Sequence, residues 1–390
     1  ILRPRRRQGA VPLLTSAEVR QVPQGVVGII SPWNYPLTLA LSDALAALVA
    51  GNAVVLKPDS RTPLTALAMA ELLQRAGLPD GLFVVVPGAG AELGTPLIDG
   101  VDHLMFTGST ATGRHVAEQC GRRLIACTAE LGGKNPMIVL ADADLQRAVD
   151  GAVWACFSTA GQLCVSIERL YVEDAVYEAF VSAFVDRVRS MRLAVGFDWQ
   201  AEMGSLISAE QLATVSAHVA DAVERGARVL AGGRARPDLG PFAYEPTVLE
   251  GVTEDMVVAR SETFGPVVSV HRVRDEDEAV ARANDSSYGL NASVWSTPRH
   301  GRRVASRLRV GSANVNEGYA AAWGSHGAPI GGMKESGLGR RHGSEGLLSY
   351  TEPLTIATQR LLPLGPLPRV DHERWARWLS RGVRAMRWLR

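Results

Sequence analysis

Long apolar runs are missing from this chain of 390 residues: none approaches the ~20 consecutive apolar residues that a membrane-spanning helix needs. An excess of charge of either sign is also missing, since the chain has 41 Lys and Arg and 40 Asp and Glu. The chain as a whole therefore gives no indication of nucleic-acid binding. Cysteine is scarce. The four present form no C-x-x-C pair, and a chain this large needs no disulfide framework, which favours a reducing, cytoplasmic compartment. No cluster has metal-ligand spacing, so we expect no metal site.

The chain does contain 46% hydrophobic residues, enough for a sizeable core and more than one domain. Short apolar runs such as VVGII (26–30), AVVLK (53–57) and HLMFT (103–107) alternate with amphipathic helical segments. This alternation predicts βαβ units and a mainly parallel sheet, which binds its ligands at the carboxyl ends of its strands. A second α/β region begins near residue 134.

Four residues follow strands of the predicted sheet. Asn34 lies in SPWNYP, Lys57 ends AVVLK, and Gly108 precedes a predicted helix. Glu130 ends an apolar strand and precedes two glycines. An amide can donate to an oxyanion, a helix N-terminus suits a pyrophosphate, and a carboxylate in a dry site can act as a base. Taken singly, each residue has an ordinary alternative, such as a turn residue, a capped helix or a surface charge.

Cys164 lies in STAGQLCVS, a small, flexible and polar stretch that follows a predicted helix. A free cysteine is most often a buried, unreactive hydrophobic residue. A reactive cysteine needs a base and a group that stabilises the negative charge it creates. The residues at the strand ends are candidates for both roles.

Seven motifs in order along the chain resemble those of the NAD(P)-dependent aldehyde dehydrogenase superfamily. They are PWNYP, VVLKPDS, FTGSTATGR, ELGGKNP, GQLC, ETFGPV (262–267) and PIGGMKESGLGR (329–340). Cys164 follows Glu130 by 34 positions, as the family pattern requires. The family is longer at its N-terminal end, so we expect an N-terminal piece to be missing from this sequence.

The resemblance implies an α/β, aldehyde dehydrogenase-like fold with a Rossmann-type cofactor domain, an α/β catalytic domain and a small bridging or oligomerisation element. The expected ranges are 1–22 for a bridging segment, 23–132 for the cofactor-binding domain, 133–334 for the catalytic domain, 335–360 for a bridging and oligomerisation segment, and 361–390 for a basic tail. It also implies a homo-oligomer, because the alternating stretch 349–359 is typical of an edge strand that needs a partner.

The resemblance also implies residue roles. Cys164 would attack the aldehyde carbon, and the oxyanion would be held by the Asn34 amide and the Cys164 backbone N–H. Glu130 would then activate the water that releases the acid. The residues that would contact the cofactor are Trp33, Lys57, Ser60, Gly108, Ser109, Glu262 and Phe264.

Ser60 is a departure from the NAD-preferring members, which carry Glu three residues after the Lys. A Glu there would accept ribose hydroxyls and repel a 2′-phosphate. Ser60 removes that repulsion, and Lys57 then favours the phosphate. We therefore expect NADP as the preferred cofactor, with NAD possible.

The substrate is indicated by stretches that resemble succinate-semialdehyde dehydrogenases of actinobacteria, such as NEGYAAAWGS and GRRHGSEGLL. The better-known enzymes of that activity hold the substrate carboxylate with two arginines, and the matching positions here are Ser42 and Ser158. Either another group binds the carboxylate, or the substrate is another aliphatic or aromatic aldehyde. The loop 318–328 should line the pocket. Its candidate substrate residues are Trp323, Ser325 and His326.

Other functions remain as alternatives. A CoA-acylating dehydrogenase would release its thioester to CoA, which the retention of Glu130 argues against. A cysteine hydrolase would need a paired histidine that the sequence does not display. A catalytically silent scaffold or membrane-associated protein could use the basic amphipathic tail, whose arginines include Arg374, Arg387 and Arg390. For this tail, and for RPRRR (3–7), we favour docking on the oligomer or solvation over a membrane surface or nucleic acid.

Overall fold

The structure is a computed structural model that describes residues 1–11, 14–197, 199–360, 365–366 and 368–386. The β-strands of these residues are β1 Arg5–Gln8, β2 Thr15–Pro23, β3 Val26–Ile30, β4 Ala53–Lys57, β5 Phe83–Val85, β6 His103–Thr107, β7 Ala126–Glu130, β8 Asn135–Val139, β9 Ile167–Glu173, β10 Arg228–Ala231, β11 Thr247–Glu250, β12 Val267–Val273, β13 Tyr288–Gly289, β14 Asn291–Trp295, β15 Ser312–Val315, β16 Met333–Lys334, β17 Gly337–Leu338 and β18 Thr351–Gln359. The α-helices are α1 Pro36–Val49, α2 Pro63–Arg75, α3 Gly90–Asp99, α4 Thr110–Arg123, α5 Leu145–Phe157, α6 Asp174–Arg189, α7 Ala209–Glu224, α8 Val257–Arg260, α9 Glu276–Asn284, α10 Pro298–Ala305, α11 Ala320–Gly324, α12 Gly343–Leu348 and α13 His372–Met386.

The first sheet contains six strands in the order β17-β7-β6-β3-β4-β5, all parallel except β17, which runs antiparallel to β7. The strands are apolar because both faces are covered. One buried cluster packs α1 and α2 on the sheet, and another packs α3 and α4 on it. The chain runs from β3 to β4 and β5 on one side, then returns to β6 and β7 on the other. The topological switch point of the sheet therefore lies between β3 and β6.

The second sheet contains seven strands in the order β10-β11-β12-β9-β8-β14-β15, parallel except for the β10–β11 pair. The largest buried cluster packs α5, α6 and α7 against one face, and a smaller cluster packs α9 and α10 against the other. Most of β8 and β9 is therefore buried on both faces. Both sheets confirm the expected aldehyde dehydrogenase-like α/β fold with mainly parallel strands.

A third, antiparallel sheet has the order β1-β2-β18. β2 and β18 pair over nine residues each, from Pro23 opposite Thr351 to Thr15 opposite Gln359. Arg5, Arg6 and Arg7 of the basic RPRRR run belong to β1, so this run is exposed but is also paired in a sheet. Sequence patterning does not predict this strand, because its four side chains are all polar and exposed.

The basic tail forms α13, which carries Arg374, Arg377, Arg381 and Arg384. Arg387 and Arg390 of the same predicted helix lie outside the described residues. Within the described part of the chain, no helix is long and apolar enough to cross a bilayer.

Candidate active site

Cys164 lies in a loop that follows α5 and a short 3-10 turn, Ser158–Gly161. The Asn135 side chain at the start of β8 donates from Nδ2 to the Cys164 carbonyl at 2.8 Å and to the Ser166 carbonyl at 2.7 Å. Gly133 also lies against this loop, since a Cβ at that position would be 2.7 Å from the Cys164 carbonyl oxygen. The backbone next to the thiol is therefore fixed by the segment that leads into β8.

The Cys164 thiol is held in an environment that disfavours its charged form. Burial raises its pKa to about 12, and the nearby Glu262 and Glu130 carboxyls act in the same direction, while Arg341 lowers it. The thiol is consequently neutral at rest. A nucleophilic step requires a base that takes its proton as the sulfur attacks.

Asn34 follows β3 in the turn that leads into α1, and only 6% of it is exposed. Its Nδ2 donates to the Gln162 carbonyl at 3.2 Å, which ties the turn to the Cys164 loop. Asn34 and Cys164 line one cavity of about 240 Å³. The Asn34 amide is therefore held against the loop that carries the thiol, where its side-chain N–H can donate a hydrogen bond to an oxyanion.

Glu130 ends β7, is 7% exposed and lines the same cavity. Its Oε1 is buried and has no hydrogen-bond partner among the described residues. Burial raises the Glu130 pKa to about 7; Arg341 lowers it, Asp43 raises it and Arg340 lowers it. A carboxyl group that titrates near neutral pH beside a nucleophile has the properties of a general base.

This first cavity opens at the switch point of the first sheet, where such sheets bind nucleotides. Trp33 and Asn34 follow β3, and Thr107, Gly108 and Ser109 end β6 and lead into α4. The Trp33 ring meets the Phe264 ring edge to face, with 5.5 Å between ring centres. An aromatic pair beside a helix N-terminus fits the nicotinamide ring and the pyrophosphate of a dinucleotide.

Glu262 and Phe264 lie on a turn that a buried ion pair supports. Lys134 and Glu168 form this pair, and Glu168 also accepts the backbone N–H groups of Thr263 and Phe264 at 3.0–3.1 Å. Glu262 Oε1 accepts the Gly133 N–H at 2.8 Å. Burial and the negative charge of Glu168 raise the Glu262 pKa to about 8.

Farther along the carboxyl edge, Lys57 ends β4 and is 5% exposed. Its Nζ donates to the Pro58 carbonyl at 2.7 Å and the Gly88 carbonyl at 3.2 Å, and burial lowers its pKa. Ser60 is exposed nearby. Ser109 caps α4 by accepting the Thr112 N–H at 3.3 Å. These positions suit the ribose and phosphate end of the same dinucleotide.

A second cavity, of about 190 Å³, lies on the other side of Cys164. Its lining is uncharged and consists of Tyr35, Thr38, Leu39, Leu163, Cys164, Val165, Tyr319 and Trp323. Cys164 is the residue that the two cavities share. A substrate in the second cavity and a cofactor in the first would therefore meet at the thiol.

The two positions at which an arginine would bind a substrate carboxylate are occupied by Ser158 and Ser42, and neither residue lines the second cavity directly. Ser158 Oγ donates to the Trp154 carbonyl at 2.7 Å and is 2.8 Å from the Tyr319 hydroxyl. The Tyr35 and Thr159 hydroxyls are 2.7 Å apart. Ser42 Oγ is buried without a hydrogen-bond partner among the described residues.

Only part of the loop 318–328 contributes to the lining of the second cavity. Trp323 lines the second cavity, but Ser325 and His326 do not. Ser325 Oγ donates to the Ala321 carbonyl at 2.8 Å, and the His326 ring packs against the His342 ring. Among the described residues, no group of three or more His, Cys, Asp and Glu could hold a metal ion.

Sequence reasoning missed several residues of the site. Tyr35 and Tyr319 were present inside the quoted PWNYP and NEGYAAAWGS stretches. Arg341 directly follows the PIGGMKESGLGR motif, and Lys134 ends ELGGK, where the sequence pattern indicates only the start of a second region. The available signal for the Lys134–Glu168 pair is Glu168, a charged residue near the start of the strand sequence IERLYVE.

A parallel α/β sheet with a nucleotide-type cleft at its switch point, lined by a cysteine and a buried carboxyl group, is the arrangement of a cofactor-dependent enzyme. Residues 5–356 match the model of the aldehyde dehydrogenase family, and the chain belongs to that family.

Among the relatives, a Mycolicibacterium smegmatis protein provisionally named as an NADP(+) succinate-semialdehyde dehydrogenase is 57% identical over 387 residues, covering 99% of this chain and 75% of that protein. The crystal structure of an Escherichia coli NADP-dependent enzyme has a TM-score of 0.88 at 39% identity, covering 92% of this chain and 74% of that one. The betaine aldehyde dehydrogenase of Staphylococcus aureus in complex with NAD+ has a TM-score of 0.87 at 36% identity, covering 93% and 73%.

Proposed function

We propose that the protein oxidises succinate semialdehyde to succinate with NADP+. The observation that carries the oxidation is the position of Cys164 at the junction of two cavities, with Asn34 and Glu130 lining the cofactor side. The substrate and the preferred cofactor are supported by the name of the M. smegmatis relative, which is 57% identical over nearly the whole chain.

The residues act in sequence. The Cys164 sulfur attacks the aldehyde carbon as its proton passes to a base, and Glu130, with a pKa of about 7, is the available acceptor. The oxyanion takes hydrogen bonds from Asn34 Nδ2 and the Cys164 backbone N–H.

Trp33, Glu262 and Phe264 would hold the nicotinamide of NADP+, which would supply a hydride acceptor beside Cys164, so that the carbon bound to the Cys164 sulfur reaches the oxidation level of a thioester. Glu130 loses the proton that it took from Cys164 to solvent and then deprotonates the water that attacks the thioester carbon. The C–S bond breaks, the Cys164 sulfur takes up this second proton from Glu130, and the carboxylic acid leaves with Cys164 again a thiol.

The preference for NADP+ is also supported by the residues at the end of β4. Lys57 lies there with its ammonium group buried against backbone carbonyls, and the exposed Ser60 carries no negative charge. A 2′-phosphate would therefore meet a cation without a competing carboxylate.

A second candidate substrate is a neutral aldehyde, because none of the described residues that line the second cavity carries a charge. Burying a carboxylate without a cation is costly unless hydrogen bonds satisfy it. Tyr35, Thr38 and Tyr319 line the cavity and carry hydroxyl groups that can form such bonds. The hydroxyls of Tyr35 and Tyr319 are in turn hydrogen-bonded to those of Thr159 and Ser158.

We also propose a homo-oligomer, because β18 is an edge strand with exposed apolar side chains, among them Leu354 and Ile356. The domain ranges given above stay part of the proposal. A reducing, cytoplasmic location fits the four free cysteines, since the mechanism requires a free thiol at Cys164.

The deciding experiment is a turnover assay of the full-length protein. Succinate semialdehyde is compared with neutral aliphatic and aromatic aldehydes, each with NAD+ and NADP+, and Cys164→Ala is the control. We expect the highest kcat/KM for the semialdehyde with NADP+. A preference for a neutral aldehyde would select the second candidate, and turnover that survives in Cys164→Ala would refute the mechanism.

A further inference from the structure

A buried ion pair lies next to Glu130, and the steps above assign it no role. Asp43 on α1 is 3% exposed and Arg341, which follows β17, is 5% exposed. Arg341 Nη2 donates to Asp43 Oδ2 at 3.0 Å and to the Thr107 hydroxyl at 3.0 Å. Thr107 lies opposite Glu130 in the β6–β7 pairing. The pair therefore joins α1 and the segment after β17 to the strand beside the general base.

The hydrogen bonds of this pair leave Glu130 unbound. Glu130 Oε1 and Arg341 Nε are both buried, and neither has a hydrogen-bond partner among the described residues. Nη2 of Arg341 is occupied by Asp43 and Thr107. A direct bidentate salt bridge would occupy the carboxylate oxygens that must bind water. The observed arrangement instead supplies a nearby positive charge without occupying them.

Stability alone is a weak reason for such a pair, because buried ion pairs are often no more stabilising than well-packed apolar residues. The Arg341 guanidinium also lies 5.7 Å from the centre of the Trp323 ring, which lines the second cavity. Arg341 therefore lies near the general base Glu130 and also near a residue that lines the second cavity.

We propose that Asp43 and Arg341 are positioning residues for the general base: Asp43 anchors the guanidinium of Arg341 at a point from which its charge favours the ionised Glu130 carboxylate, whose oxygens stay free for water. This inference goes beyond the proposed function. It depends on aldehyde oxidation through Glu130 and is independent of which aldehyde is the substrate.

The charges around Glu130 come from several elements. The groups that act on Glu130 or are acted on by it are Asp43 of α1, Cys164 of the nucleophile loop, Arg340 and Arg341 after β17, and Tyr350 after α12. Burial raises the pKa of Tyr350 well above its usual range, so this phenol stays neutral. Arg340 donates from Nη1 to the carbonyls of Gly332 and Gly339. Removing the charge of Asp43 and removing the charge of Arg341 should therefore have opposite effects on the electrostatic potential at Glu130.

The test is the pH dependence of kcat in the full-length protein, with the best aldehyde found in the turnover assay. Glu130 must be ionised to accept a proton from water, so kcat falls as the pH drops through the Glu130 pKa. We call this fall in kcat the acid limb of the pH profile. Arg341→Gln removes the positive charge and should move the acid limb to higher pH by about 1 unit. Asp43→Asn removes the negative charge but retains a side-chain oxygen that can accept the hydrogen bond from Arg341 Nη2, so the anchor is kept and the limb should move to lower pH.

Controls separate electrostatics from loss of structure. Arg341→Lys retains the charge and should hold the limb near its wild-type position. Asp43→Asn/Arg341→Gln removes both charges and should fall between the single variants. Exposed Arg122→Gln should leave the profile unchanged. Thermal melting and NADP+ binding establish that each variant is folded, and the double variant with Asp43→Asn carries the test if Arg341→Gln does not fold. Folded variants whose limbs coincide with wild type, or shift in the same direction, would overturn the proposal.

Discussion

Cys164 and Glu130 are both ionisable groups held away from water, and their environments give them different pKa values. The Cys164 thiol has a pKa of about 12 and stays protonated, whereas Glu130, with a pKa of about 7, is partly ionised at neutral pH. Burial is the largest cause in both cases, because water no longer solvates the charged form. The carboxylate rather than the thiolate is therefore the base that is ready before the reaction begins.

Glu130→Gln separates the two halves of the reaction. The thioester should still form, although more slowly, but it should not be hydrolysed, so steady-state turnover falls by about 10²–10⁴-fold. Rapid-mixing absorbance would then show one equivalent of reduced cofactor followed by almost no further product. Glu118→Gln, on the exposed face of α4, is the matched control. A proportional loss of the first turnover and the steady state would contradict the assignment to hydrolysis.

Ser60→Glu tests the cofactor preference. The new carboxylate would repel a 2′-phosphate and accept ribose hydroxyls, so the ratio of kcat/KM for NADP+ to that for NAD+ should fall by about 10-fold or more. Ser60→Ala adds no charge and should retain the wild-type ratio. Equal ratios in all three proteins would show that position 60 does not contact the cofactor.

At the scale of elements, the loops between the two sheets hold the site together. The segment between β7 and β8 contains Gly132 and Gly133, and it passes between the Cys164 loop and the Glu262 turn. A Cβ at Gly132 would be 2.3 Å from Glu262 Oε2. Glycine is required here by close approach of the neighbouring chain segments, rather than by a left-handed backbone conformation.

Gly133→Ala should displace the nucleophile loop, because its Cβ would lie 2.7 Å from the Cys164 carbonyl oxygen and from Asn135 Oδ1. We expect a loss of at least about 10²-fold in kcat, since an error of 1 Å at a reacting group can cost that much. Gly121→Ala, which meets nothing within 4 Å on α4, is the control and should retain activity. Normal kinetics in Gly133→Ala would mean that the loop adapts to the added methyl group.

The Lys134–Glu168 pair supports the Glu262 turn. Lys134→Met should destabilise the fold by about 3–5 kcal/mol, because it leaves the buried Glu168 charge without its cation. Lys134→Met/Glu168→Gln removes both charges and should be less damaging than the single change. Thermal melting measures both variants. A single variant no less stable than the double variant would contradict this account of the pair.

At the scale of the whole molecule, the third sheet leaves β18 with a free edge and exposed side chains. If β18 joins subunits, Ile356→Lys should weaken the oligomer, because it places a charge among the apolar residues of the interface. Sedimentation velocity should show a smaller species. Leu72→Lys, at an equally apolar exposed position on α2, should leave the assembly unchanged. A wild-type protein that sediments as a stable monomer would remove the oligomer from the proposal.

Much of the sheet architecture could be predicted from the sequence, because strands covered on both faces are continuous apolar runs. VVGII, AVVLK and HLMFT became β3, β4 and β6 in one parallel sheet. β1 and β17 could not be predicted this way. The side chains of β1 are all polar, and β17 has two residues whose pairing with β7 depends on a contact 207 positions away at Gly337 and Glu130.

The family, the alternation of strands and helices, and the residue types at the strand ends could all be predicted from the order of residues along the chain. Motif spacing and hydrophobic periodicity are local properties of the chain, so they can be read along it. The folded arrangement shows that Cys164 belongs to two cavities, that the described lining of the second cavity is uncharged, and that Asp43 lies beside Arg341. Such contacts join residues up to 298 positions apart, and burial then alters their pKa values, which no local pattern records.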